Sequence, residues 1–179
     1  HVDAGLPLHI DHDLCQKARS DLTNPRARLS AEMAWMPGVA PSAAEKLVKI
    51  LSDNPVFTRS VDRLPELARA NLMAAAFELV DEYEPAESIA EFIRDFAWVV
   101  ETIDASDVMR DVNEDRAVSG FPEVREVETI EEELSSRRKA YKSVLKSLLD
   151  TMDPNKLVET MTDVVSVATD DGEDQGPAL

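Results

Sequence analysis

The three histidines of this chain are His1, His9 and His12, and two of them stand in "HIDHDLC", residues 9–15, with Asp11, Asp13 and Cys15. Neutral imidazoles, carboxylates and a thiolate are zinc ligands, provided that three or four converge at roughly 2.0 to 2.3 Å from the ion. His9 and His12 are three apart and share a face if both are helical. Leu8 and Ile10 alternate with His9 and Asp11, however, which places the helix start after Asp11. Capping by Asp11 or Asp13, with the histidines turned to solvent, accounts for the same residues. His9, His12 and Asp13 are therefore metal candidates only, and the expectation is no metal and no cofactor.

His12-Asp13 is similar to the dipeptide that names the HD metal phosphohydrolases. That family needs another His well upstream and a distal Asp, and this chain offers neither partner His. A metal-dependent hydrolase built on His9 and His12 is the catalytic alternative. Other chemistries find less. A Ser-His-Asp or Cys-His set would have to assemble around the first twelve residues. The sequence contains no GxGxxG, no GxxxxGK[ST] and no HExxH. Glu91 and Asp95 are spaced as ExxxD, but a di-metal carboxylate bundle also needs a Glu-x-x-His element, and no His follows residue 12. The expectation is a non-catalytic protein.

Binding chemistry is more legible. Over 86–103, at 100° per residue, Phe92, Ile93, Phe96, Val99, Val100 and Ile103 all fall within about 80° of Ile89. Trp98 falls about 180° away, among Glu87, Glu91, Arg94, Asp95 and Glu101. A Trp on a charged face is either covered by another element or open to a partner, and Trp anchors interfaces more often than most residues. Trp98 with Glu91, Arg94, Asp95 and Glu101 is the first candidate binding surface.

The elements that must carry these residues are helices. Of 179 residues, 44% are hydrophobic but only 5% aromatic, and there are five glycines, too few for hairpins or phosphate loops. The net charge of −17 is uneven: residues 81–133 hold 18 acids against 4 bases. Binding to nucleic acid needs clustered Lys and Arg and is not expected. An acidic face that docks a basic protein partner is. One cysteine leaves no internal disulfide framework and suits a cytoplasmic setting. No apolar run is long enough to span a bilayer, so no membrane is expected. The chain opens on His1 rather than Met, and residues are expected to precede it.

Along the chain, Asn24 caps a helix from Pro25 to Met36 that ends at Pro37-Gly38. Ser42 and Glu45 are spaced as a capping box for the next helix, with Leu47, Ile50 and Leu51 as its stripe. Residues 54–65 are irregular. Pro65 opens a helix to about Tyr83 whose centre, "NLMAAAFELV", is apolar nearly all round and belongs inside. Pro85 precedes the Trp98 helix, Ser106 caps a short polar helix ending near Gly120, and Pro122 starts the longest helix, to about Met152. Its stripe is Val127, Ile130, Leu134, Tyr141, Leu145, Leu148 and Met152, with Arg137 and Arg138 where a heptad member is missing. Asp153 and Pro154 begin a last helix. The acidic "TDDGEDQGPAL", 169–179, has no periodicity and is expected to be disordered.

Ala18, Leu22, Asn24-Pro25 and Arg28 resemble the last helices of a J-domain, the helical module of the J-domain co-chaperones. The resemblance covers about residues 14–32. The His-Pro-Asp signature that engages the chaperone ATPase is absent, so what is implied is a degenerate J-like unit, a chaperone-associated fragment of a longer protein. The same stretch sets Leu29, Met33 and Met36 on one stripe and Arg28, Glu32 and Trp35 on the adjoining face. There Arg28 and Glu32 can pair, and Trp35 beside Arg28 is a second candidate contact.

The expected protein is all-α. It has a small N-terminal helical unit over 1–55, an acidic helical bundle over 56–168 with one long helix at about 122–152, and the tail 169–179. Its expected role is that of an adaptor or regulatory module.

Overall fold

The computed structural model describes residues 16–169 apart from 18, 21, 54–60, 62, 81 and 82. Among them the chain is all-helical, with no strand. The seven helices are α1 (Pro25–Met33), α2 (Pro41–Asp53), α3 (Glu66–Phe77), α4 (Ala86–Thr102), α5 (Ala105–Ser119), α6 (Val127–Thr151) and α7 (Pro154–Thr169). Residues 16, 17, 19 and 20 are also helical. The metal candidates His9, His12 and Asp13 lie outside the described residues, as does the tail beyond Thr169.

α1 begins as its sequence dictates. Asn24 is extended, and its side-chain oxygen accepts from the N–H groups of Arg26 and Ala27. The helix ends at Met33, not at Met36, because the Trp35 N–H turns to the Glu32 carbonyl at 3.3 Å and tightens the last turn. Pro37 has no N–H to offer the Met33 carbonyl, four residues back. Asn71 of α3 supplies the donor instead: its Nδ2 bonds the Met33 carbonyl at 2.8 Å and also the Trp35 carbonyl. α2 starts at Pro41, with the Ala40 carbonyl accepting from Ala43 and Ala44, so Ser42 lies in the first turn and is not the N-cap. Ile50, expected in the stripe, is exposed, while Ala44 and Leu47 pack with Met36, Val61, Ala68 and Leu72.

α3 is the buried helix its composition requires, with Leu67, Ala68, Ala70, Leu72, Met73, Ala74, Ala76 and Phe77 all buried. It stops at Phe77, short of Tyr83, because the Leu79 N–H bonds Ala76 and tightens the last turn. Phe77 packs on Phe92 and Phe96 of α4 at ring separations of 4.5 and 5.1 Å, and Phe96 meets Tyr141 of α6 edge-on at 5.5 Å. Each fully buried ring stabilises the fold by about 1.5–3 kcal/mol. Leu29 and Met33 of α1 enter this same cluster, beside Ile130, Leu134, Leu145 and Leu148 of α6.

α5 is capped by Asp104, whose carboxylate accepts from the N–H groups of Ser106 and Asp107; Ser106 itself is inside the first turn. Gly120, at φ 72°, ends it. The long helix begins at Val127 and not at Pro122. Asn113 of α5 holds the backbone of Val124 by both groups, accepting from its N–H at 2.8 Å and donating to its carbonyl at 2.9 Å. Arg116 donates to the Pro122 carbonyl. Those bonds hold 121–126 as non-helical chain. Asp153 caps α7 through the N–H groups of Asn155 and Lys156. α7 then packs along α4, the most extensive helix–helix contact among the described residues.

Candidate interaction surfaces

α4 carries its apolar stripe inward and its charges outward, so Trp98 emerges on the outer face and is 57% exposed. Among the described residues no other element covers it. One turn away, Arg94 bonds the adjacent Asp95 at 3.4 Å. Glu91 and Glu101 are exposed, and among the described residues they and Glu87 form no ion pair. The helix therefore presents an indole within a field of unpaired carboxylates and one partly engaged guanidinium.

Trp35 is 58% exposed, just beyond the end of α1. Arg28 is used within the chain: its guanidinium lies 4.1 Å from the centre of the Phe121 ring, and its Nε bonds the Leu22 carbonyl. It does not stack on Trp35. Nor does it pair with Glu32. Glu32 instead receives both Nε and Nη2 of Arg116, at 2.9 and 2.7 Å. Arg28 and Trp35 belong to the α1 region, and no hydrogen bond, ion pair or ring contact among the described residues joins them to the Trp98 set.

Much of the acidic block 81–133 faces inward or holds neighbours. Asp107 and Asp111 both bond Arg110. Asp115 accepts from the Gly38 N–H. Glu132 meets Arg26 at 3.3 Å, and Glu133 accepts from the Ser30 hydroxyl at 2.8 Å. Arg137, in the gap of the heptad-like stripe, donates to the Ser30 carbonyl. These contacts clasp α1 between α5 and the first half of α6. Burial pushes the Asp111 carboxyl up, against the pull of Arg110. Burial also pushes the Tyr141 phenol up, with Arg137 and Arg138 opposing, and its hydroxyl donates to Asn71 Oδ1 at 2.6 Å.

A second surface was not visible in the sequence as a site. Between α4 and α6 runs a groove of about 440 Å³ with Phe96, Val100, Tyr141 and Leu145 in its lining and Glu101, Arg138 and Lys142 beside them. The only sequence signal for it was the pair of arginines interrupting the α6 stripe. Among the described residues no group of three or more His, Cys, Asp or Glu is placed to hold a metal, and no helix is long and apolar enough to cross a membrane. No protein-family model matches the chain, nor does any curated protein or solved structure.

Proposed function

We propose that this chain is a non-catalytic protein-interaction module, working in the cytoplasm, that uses the outer face of α4 to dock a protein with a basic surface. The observation that carries this reading is Trp98, a large apolar ring 57% exposed in the middle of a carboxylate-rich helix face. Leaving an indole in water is unfavourable by about 25 cal/mol per Å² of apolar area, and a partner pocket removes that area from solvent. Tryptophan is among the residues that most often dominate interface energetics. Glu87, Glu91 and Glu101 around it favour cationic partners and accelerate their encounter in a salt-dependent way. Trp35, the other exposed indole, is the candidate for a secondary contact. The single cysteine fits a reducing compartment.

The test is capture of partners from native extract at low and high salt, with the wild-type chain and with Trp98→Ala. The expected result is a basic protein retained by the wild type at low salt, lost at high salt and lost from the variant. Identical profiles for the two chains at both salts would overturn the assignment of Trp98.

A further inference from the structure

α7 uses only part of its circumference in the fold. At 100° per residue from the fully buried Thr160, Leu157 and Val164 lie about 40–60° to one side, and this sector packs on α4. The charges of the helix, Lys156, Glu159 and Asp163, lie about 40–100° to the other side. The third sector, about 100–200° from Thr160, holds Met161, Val165, Val158 and Thr162 and no charged residue. Val158 is 66% exposed, Val165 57% and Met161 40%. The Thr162 hydroxyl donates to the Val158 carbonyl at 2.7 Å, so it can be covered without losing its acceptor.

Charged residues make up 31% of this chain, and its net charge is −17. A neutral apolar sector is where two copies can meet without bringing their carboxylates together. It holds nothing to attract a basic protein. A helix that lies on a membrane is rich in Lys and Arg on its polar face, whereas α7 has one lysine against two acids. The spacing points to the occupant. Val158, Met161, Thr162 and Val165 follow at intervals of 3, 1 and 3, the same from either end. Turned end for end, the stripe superposes on itself, as an isologous twofold contact requires.

We propose that this sector of α7 is a self-association surface, on which a second copy of the chain packs its own α7 antiparallel. Val158 of each copy lies opposite Val165 of the other, and the two Met161 side chains meet beside the axis. α7 has 16 residues, so it is about 24 Å long and about 10 Å wide, roughly 240 Å² in projection. A standard interface takes about 800 Å² from each partner, so this dimer forms and parts with concentration and is not permanent. Salt acts on it in the opposite sense from the Trp98 face. Screening weakens the attraction of a basic partner there, but here it relieves repulsion between two copies of charge −17.

The experiment is sedimentation velocity of the full chain from about 10 μM to about 1 mM, at about 0.05 M and about 0.5 M salt. A monomer–dimer equilibrium is expected, about threefold or more tighter at the higher salt. Met161→Glu and Met161→Lys should each weaken it about tenfold or more, because a charge of either sign is taken out of water at the axis. Val158→Glu and Val165→Lys should each do the same. Combined in one chain they should restore most of the loss, since each new acid then faces the partner's new base. A variant that had merely lost its fold would not regain the dimer through a second change.

A chain that stays monomeric to about 1 mM at both salts overturns the proposal. So does a dimer that none of the four single changes weakens, which would lie on another surface. Loss in the single variants without recovery in the pair overturns the antiparallel pairing and the proposal with it. Association that falls as salt rises overturns it by assigning the contact to charge. Binding to vesicles of uncharged lipid that Met161→Glu abolishes, with no dimer, overturns it in favour of a membrane surface.

Discussion

The junction around α1 and the outer face of α4 are made of the same residue types and use them in opposite ways. At the junction, Glu32, Glu132, Glu133 and Asp115 each meet a specific donor on another element, and the Arg116 guanidinium is almost fully buried as it reaches Glu32 and the Pro122 carbonyl. On α4, Glu87, Glu91 and Glu101 face solvent around an exposed Trp98. Charge density along a sequence therefore does not measure charge presented to a partner. Where an acid meets a fixed donor in a partly dry site it holds the fold together, and where it does not it is left for solvent or for another molecule.

The largest break of that contrast should come from Arg116→Ala. It strips Glu32 of its two charge-assisted bonds and leaves the Pro122 carbonyl without its donor, so a loss of about 2–4 kcal/mol is expected in chemical denaturation. A loss below about 0.5 kcal/mol would mean that the junction is no more than a surface pairing. Next comes Gly38→Ala. Gly38 sits at φ 74°, and an added Cβ would lie 3.1 Å from Asp111 Cγ and 3.2 Å from Pro65, so about 2 kcal/mol or more should be lost. Gly120→Ala is the control, at φ 72° with open space around it, and should cost only about 1 kcal/mol. Equal effects at the two glycines would show that the packing around Gly38 is not tight.

Tyr141→Phe removes the bond to Asn71 and should lower stability at neutral pH by about 1 kcal/mol. The sign of its pH effect follows from the raised phenol. The Tyr141 contribution is complete below the unfolded value of about 10 and is lost as pH rises toward the folded value, so the wild type should weaken above that point more than the variant does. Parallel stability curves for the two proteins above pH 10 would contradict the burial of that hydroxyl. The smallest effect on the fold belongs to Trp98→Ala, under about 1 kcal/mol by melting, because its ring is mostly in water. A larger loss would move Trp98 into the core and remove it from the binding face.

The helices were legible because their starts are written in local chemistry: Asn24-Pro25, Pro65, Pro85 and Asp153-Pro154 all open helices as they stand. The inward stripe of α4 and the buried character of α3 were equally plain from periodicity. What could not be read locally were boundaries and pairings decided by distant residues. Nothing near Pro122 says that Asn113 will hold Val124, and so the long helix was expected five residues early. Asp104 and Ser106 are both good caps by type, and the fold chose the one that stands just outside the helix. Arg28 and Glu32 have ideal helical spacing, yet Arg28 lies over the Phe121 ring and Glu32 takes the nearly buried Arg116, both residues distant in sequence. Trp98 was placed on the charged face by periodicity alone; that its ring stays 57% exposed among the described residues required the packed structure.

Asn71 limits what evolution can try at one position. Its amide gives hydrogen to two carbonyls, one on the last residue of α1 and one just beyond it, while its oxygen takes hydrogen from Tyr141. Aspartate has the shape but no hydrogen to give, serine is too short to reach both sides, and glutamine adds a methylene where α3 is packed against its neighbours. Sequences that keep Pro37 and Tyr141 should therefore keep Asn71 with them, and a homologue that loses one of the three should have changed the other two.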